Sequence, residues 1–122
     1  MTHFIVPAVL AMATLVSPVQ VQQVAAPELT AQQNTALRCS VAFALVAEGQ
    51  AKGDAKMAGY PALGERGREF FVRSSAQLMD ETGLGRDHVA ALLAGEIATL
   101  QAGGELAQVM PPCLLLLDAS GL

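Results

Sequence analysis

Apolar residues recur at helical spacing in the first part of the chain after residue 27. The stripe is formed by Leu37, Val41, Ala44 and Leu45 and is widened by Cys39, Phe43 and Val46. Neighbours three or four positions apart predict an α-helix, here one that is buried over much of its circumference. Thr30 and Gln33 have the spacing of a capping box, which predicts where the helix begins. Gly49 and Gly53 predict its end.

A second helix is predicted to begin at Pro61 or Ala62 and to end at Thr82. Its inner face is made by Leu63, Phe70, Phe71, Ser74, Leu78 and Met79. Gly83 follows the last helical residue, where it favours a Schellman cap that brings Leu84 against Met79. The end of this helix is therefore well specified by the sequence.

The third helix has the clearest amphipathic pattern in the chain. Its apolar stripe consists of Val89, Leu92, Leu93, Ile97 and Leu100. With Gly85 as the N-cap, Leu84 and Val89 have the spacing of a hydrophobic staple, which fixes the direction in which the chain enters the helix. Gly103 and Gly104 predict its end.

The last segment of the chain is less regular. We expect a short helix over residues 105–110, a break at Pro111 and Pro112, and a final short helix over residues 113–119, because each proline disfavours the α conformation in the residue before it. Residues 114–117 are all leucine. Such a run is expected in the core, and a tail that binds a partner or touches a membrane is the alternative.

These elements predict an all-α fold, a small bundle of three main helices plus a short C-terminal helix. The chain has no Trp, one Tyr and four Phe, so the core must be built mainly from Leu, Val, Ala and Met. Residues 53–62 are rich in turn formers, and we expect a loop that is the most mobile part of the chain apart from its ends.

The first 26 residues have the features of a targeting segment. Residues 4–16 carry no charge and are too few to span a bilayer, which needs about 20 residues. We interpret residues 1–26 as a signal peptide cleaved near Ala25 or Ala26, and residues 27–122 as a single helical domain. An uncleaved apolar anchor is the alternative. The expected location is periplasmic or secreted.

Cys39 and Cys113 are the only cysteines. In an exported chain of this size two lone cysteines usually pair, which predicts a disulfide between the first helix and the C-terminal segment. Two buried free thiols, or a bond between two molecules, remain as alternatives.

Residue types that carry chemistry do not converge in this sequence. His88 is the only histidine after the predicted signal peptide, and Ser74 and Ser75 lack the context of a nucleophilic serine. Asp80 and Glu81 are adjacent, so on a helix they point about 100° apart rather than at one substrate. We therefore predict no catalytic, cofactor-binding or metal-binding residue, no cofactor, and a protein that is not an enzyme.

The number and placement of charged residues indicate which kinds of partner the protein can bind. The formal net charge is −4, and the arginines Arg66, Arg68 and Arg73 are interleaved with Glu65 and Glu69. Nucleic acid calls for a basic face, so it is not expected as a partner. A membrane is expected as a partner only through an uncleaved leader.

The sequence leaves three functions open. The first is a non-enzymatic, protein-binding factor of the cell envelope that resembles small chaperones, inhibitors or immunity proteins in format alone. The second is a carrier of an apolar ligand or lipid, with residues 114–117, Phe70, Phe71, Met79 and Ile97 lining a cavity. The third is an accessory subunit of an envelope complex. The specific role and the oligomeric state are not predicted.

Overall fold

The computed structural model describes residues 28–122 together with Ser17. Its helices are α1 (Ala31–Ala51), α2 (Arg66–Thr82), α3 (Arg86–Gly103) and α4 (Leu106–Ala119). Residues 28–122 contain no strand, and the predicted all-α bundle is confirmed. The predicted signal peptide and its cleavage site lie outside the described residues, apart from Ser17.

Helix α1 is the centre of the bundle, because α2, α3 and α4 each pack against it. Its buried residues lie on almost every side of the helix and are Leu37, Cys39, Ser40, Val41, Ala42, Phe43 and Val46. Ala44, which the apolar stripe placed in the core, is exposed. Ala44 lies on the same side of α1 as Glu48 and Ala51, which are also exposed, and the surrounding helices do not cover this side.

The start of α1 follows the predicted capping box. The backbone N–H of Gln33 donates to the Thr30 hydroxyl at 3.1 Å, and the backbone N–H of Thr30 donates to the Gln33 side chain at 2.9 Å. The helix continues past Gly49 to Ala51. A Cβ atom at Gly49 would collide with the side chain of Met57, so this glycine allows Met57 to pack closely against α1 and does not end the helix.

The predicted start of α2 at Pro61 or Ala62 is wrong, since the helix begins at Arg66. The Gln50 side chain donates to the carbonyl oxygens of Met57, Tyr60 and Pro61 at 3.1, 3.3 and 2.9 Å. It also accepts from the backbone N–H of Leu63 at 3.1 Å. These four bonds hold the connecting segment in a non-helical path against α1.

The junction between α2 and α3 differs from the Schellman cap that the sequence predicts. Gly83 is left-handed, with a φ of 71°, and its N–H donates to the carbonyl of Met79 at 2.9 Å. This bond makes an αL cap. The N–H of Leu84, which a Schellman motif would direct to a carbonyl of the helix, instead donates to the Thr82 hydroxyl at 3.2 Å. Leu84 and Val89 are buried in one cluster, as the hydrophobic staple predicts.

Helix α4 corrects the predicted break, because it runs without interruption through Pro111 and Pro112. The two prolines remove the hydrogen bonds to the carbonyls of Ala107 and Gln108. All four of these residues are exposed, so water solvates the freed carbonyls. On the opposite side of the helix, Met110, Cys113 and Leu117 are buried against the rest of the bundle.

The leucine run does not enter the core as a block. Leu117 is fully buried and Leu114 half-buried, but Leu115 is 72% exposed and Leu116 is 36% exposed. Helix α4 contacts the bundle along one face only, and consecutive residues on a helix point about 100° apart. The run therefore leaves an apolar strip on the surface.

The predicted disulfide is present between Cys39 on α1 and Cys113 on α4, with the two Cα atoms 5.2 Å apart. Both residues are buried in the main core cluster, where Phe43 and Phe70 also pack edge to face at 5.2 Å. The bond links positions separated by 74 residues. On the chain-entropy model such a loop is worth about 4 kcal/mol of stability.

Candidate functional site

A groove runs between the first half of α1, the facing side of α2 and the end of the chain after α4. We call it the α1–α2 groove. It holds about 480 Å³, within the size range of ligand pockets in proteins. Its floor is largely apolar and includes Leu37, Phe70, Leu78, Leu116 and Leu122, and its rim includes Gln33, Arg73, Ser74, Gln77 and Glu81.

The apolar floor is unevenly accessible. Leu37, Phe70 and Leu78 are each less than a tenth exposed, because they also belong to the core of the bundle. Leu116 is 36% exposed and faces the groove at the α4 end. A ligand in the groove would therefore make its main apolar contacts with Leu116 and with Leu122, which is half-buried.

Glu81 closes the other end of the groove. One carboxylate oxygen accepts from the Gln33 side chain on α1 at 2.9 Å, and the other accepts from the Gln77 side chain on α2 at 2.6 Å. The hydrogen bonds from Gln33 and Gln77, in that order, lower the pKa of Glu81 from its ordinary 4.5. This carboxylate is thus ionised at neutral pH and ties α1 to α2.

Arg73 supplies the positive charge on the rim. Its Nε donates to Glu69, one turn earlier on α2, at 2.9 Å. At least half of each of these two side chains is exposed. With Glu81 on the opposite end, the rim carries one charge of each sign. The groove therefore favours neither a strongly acidic nor a strongly basic ligand.

The residues considered for catalysis are not brought together. Ser74 and Ser75 line the groove, whereas His88 is exposed on α3 and does not line it. Glu81 lines the groove while its neighbour Asp80 is exposed elsewhere, as expected for adjacent helical positions. Among residues 28–122, no three His, Cys, Asp or Glu side chains are grouped as metal ligands would be.

Some of the residues that were expected from the sequence to line a carrier's cavity do line the groove. Phe70 and Leu116 line the groove, but Phe71, Met79 and Ile97 do not. The sequence did not reveal Gln33 and Glu81 as partners. The spacing of Gln77 and Glu81 is visible in the sequence as an i, i+4 pair, whereas Gln33 and Glu81 meet only through the packing of α1 on α2.

A second, wider depression lies between the end of α1, the following segment and the α3–α4 junction. It holds about 660 Å³ and is lined in part by Glu48, Lys52, Asp54 and Lys56. Lys52 pairs with Glu48 at 2.6 Å, and both side chains are well exposed. This open, charged surface is a weaker candidate than the α1–α2 groove, because it encloses a ligand less.

The fold and the groove define this protein as a small all-α bundle, closed by one disulfide around a central helix. The disulfide is compatible with a location outside the cytoplasm. None of the helices described in residues 28–122 combines the length and apolarity that crossing a membrane requires. Comparison with protein-family models, curated proteins and solved structures finds no match to this chain.

Proposed function

We propose that this protein is a small exported, non-enzymatic, protein-binding factor of the cell envelope, similar in kind to chaperones, inhibitors or immunity proteins. It holds an apolar segment of another protein in the α1–α2 groove. The observation that carries the proposal is the groove itself, which combines the exposed Leu116 with a rim of amides, hydroxyls and two opposite charges.

This arrangement is the one that protein-binding sites commonly use. Apolar contacts at the centre supply affinity, and polar groups around them satisfy the partner's backbone and set its register. The part of α1 that borders the groove, residues 30–40, is about 15 Å long. That length matches about three turns of a partner helix or about five residues of an extended strand.

Export is supported by the buried disulfide and by the apolar leader in the sequence. A disulfide of this kind forms and persists in oxidising compartments such as the periplasm or the extracellular space. The partner is accordingly proposed to be another protein of the envelope.

Site-specific photo-crosslinking in the host envelope tests the proposal. A photoreactive residue is placed at Ser74 inside the groove or, as the control, at Val72, which is 56% exposed on the outer side of the same helix. We expect one defined protein adduct from Ser74 and none from Val72. Equal adducts from both positions, or none from Ser74, would contradict the proposal.

The carrier function remains a second candidate, because the groove volume is suitable for a small apolar ligand and two of its expected residues line it. Native mass spectrometry of protein purified from its own host separates the two functions. A bound small-molecule mass that disappears on Leu116→Glu substitution supports the carrier, and a mass without ligand supports protein binding.

A further inference from the structure

Helix α3 has the fewest buried residues of the four helices. Only Val89 and Leu100 are buried along its whole length, while Leu92 and Leu93 are half-buried and Ile97 is 36% exposed. Burial of apolar area is the main force that holds a helix to its neighbours. On that measure α3 has fewer attachments than the central helix α1, although it is only three residues shorter.

The other helices have ties that α3 lacks. Helix α4 is bonded covalently to α1 through Cys39 and Cys113, and Arg66 on α2 pairs with Asp118 on α4 at 3.0 Å. Helix α2 is also tied to α1 through Gln33 and Glu81. These contacts join α1, α2 and α4 into one unit.

One ion pair joins α3 to this unit. Arg38 on α1 donates to Glu96 on α3 at 2.7 Å, and the Glu96 side chain is only 16% exposed. Within residues 28–122 it is the only hydrogen bond between side chains that connects α3 to another helix. Its removal would weaken the attachment of α3 selectively.

Both ends of α3 are next to glycines with the left-handed conformation. Gly83 has a φ of 71° and Gly104 a φ of 62°, and a Cβ atom added at either position would have no neighbour within 4 Å. Glycine crosses between backbone conformations at low cost, so the chain can change direction at both points. Helix α3 can therefore move as a rigid segment between two pivots.

We propose that α3 opens as a unit about Gly83 and Gly104, that the Arg38–Glu96 pair holds it closed, and that its opening enlarges the α1–α2 groove. The link is a small apolar cluster of Leu37, Leu78, Leu84 and Val89. Leu37 and Leu78 form part of the groove floor, and Val89 of α3 covers the same cluster.

Opening as a unit withdraws Val89 from this cluster and Leu100 from the main core, and it gives a ligand in the groove access to more of Leu37 and Leu78. This inference rests on the proposed function, since it describes how the same groove is regulated. A partner that prefers the open form shifts the population of α3 toward it, and a weaker Arg38–Glu96 pair raises the apparent affinity by the same factor.

Hydrogen exchange followed by mass spectrometry tests the opening in the full domain at constant pH. Glu96→Gln removes the charge with little change of shape. We expect exchange in residues 86–103 to accelerate by about two- to fivefold, the effect of one partly exposed ion pair, with residues 31–51 and 66–82 unchanged. The double substitution Arg38→Glu with Glu96→Arg should restore the slower exchange.

Glu69→Gln is the matched control, because it breaks the exposed Arg73–Glu69 pair within α2 without touching α3. Unchanged exchange in α3 after Glu96→Gln would overturn the proposal, and so would uniform acceleration in all four helices. In the unsubstituted protein, exchange in α3 no faster than in α1 would overturn it as well.

The result is separable from the proposed function. If Glu96→Gln accelerates hydrogen exchange in α3 but nothing is crosslinked at Ser74, the opening of α3 is supported and protein binding at the groove is wrong. If a partner is crosslinked at Ser74 and its affinity is the same for the unsubstituted protein and for Glu96→Gln, protein binding stands and the regulation by α3 is wrong.

Discussion

Two glycines inside helices of this bundle, Gly67 and Gly95, have opposite effects on its stability, although both occupy helical positions. Gly67 on α2 lies against Phe43 on α1, where an added Cβ atom would come within 3.0 Å of the Phe43 Cβ. Gly95 on α3 has nothing within 4 Å of that position. The first glycine permits close packing of two helices, and the second is only a weak point in a helix.

The two glycines therefore predict opposite effects of alanine. Gly67→Ala should destabilise the protein by about 1–3 kcal/mol, because the position of the Phe43 Cβ is fixed by the α1 backbone and cannot shift at low cost. Gly95→Ala should stabilise it by about 0.5–1 kcal/mol through helix propensity. Urea denaturation of both variants measures the difference, and a loss of stability in both would contradict the packing described for α3.

Glu81 predicts a pH dependence that belongs to one side chain. Its pKa is lowered by hydrogen bonds from Gln33 and Gln77, so its stabilising contribution is present above about pH 4.5 and is lost as the pH falls through the lowered value. Carboxyl NMR should find the Glu81 pKa below 4.5.

Replacing Gln33 and Gln77 by alanine should move the Glu81 pKa back toward 4.5. Glu48 is the internal control, since the Lys52 side chain lowers its pKa by a hydrogen bond and by its charge, independently of both glutamines. A Glu81 pKa that does not respond to the two substitutions would show that the bridge between α1 and α2 is absent in solution.

At the scale of the element, the sequence predicts those features of a helix that depend on residues close together in the chain. The capping box of α1 at Thr30 and the staple around Val89 depend on contacts within a few residues, and both were predicted. The start of α2 could not be, since it is set by Gln50, whose side chain binds backbone groups up to 13 residues away. The groove rim was missed for the same reason, because Gln33 and Glu81 are 48 residues apart.

Helix α4 shows a different limit of the pattern. Pro111 and Pro112 predict a break, and the break is avoided because the carbonyls they leave free face water while Cys113 is held by the disulfide. Exposure of the far side of α4 is a property of the assembled bundle. The sequence therefore placed Leu115 and Leu116 in the core, although α4 has only one inward face.

The continuity of α4 makes a testable prediction. Pro112→Ala restores an N–H in the interior of the helix without disturbing a buried contact, since Pro112 is exposed. It should stabilise the protein by about 1–2 kcal/mol, less than the full helical cost of proline because the unfolded chain also gains freedom. Thermal unfolding followed by circular dichroism measures this, and a lower melting temperature would indicate that the chain breaks at Pro112 after all.

At the scale of the whole molecule, the bundle is organised around α1. The disulfide fixes α4 to one side of α1, Glu81 and the core contacts fix α2 to another, and α3 closes the remaining side through Arg38 and Glu96. The groove lies where α1, α2 and the end of the chain after α4 meet. A rigid unit of three helices thus presents the groove, and the fourth helix controls how deep it is.

The central claim is that the α1–α2 groove binds a protein partner. The most direct test uses the partner that crosslinking at Ser74 identifies and measures its affinity for two variants of this protein. Ser74→Arg places a bulky charge in the groove, and Val72→Arg places the same side chain on the outer face of α2. Isothermal titration calorimetry should show at least a roughly tenfold loss of affinity for Ser74→Arg, equivalent to about 1.4 kcal/mol, and no change for Val72→Arg. Equal affinities of the two variants would contradict the account.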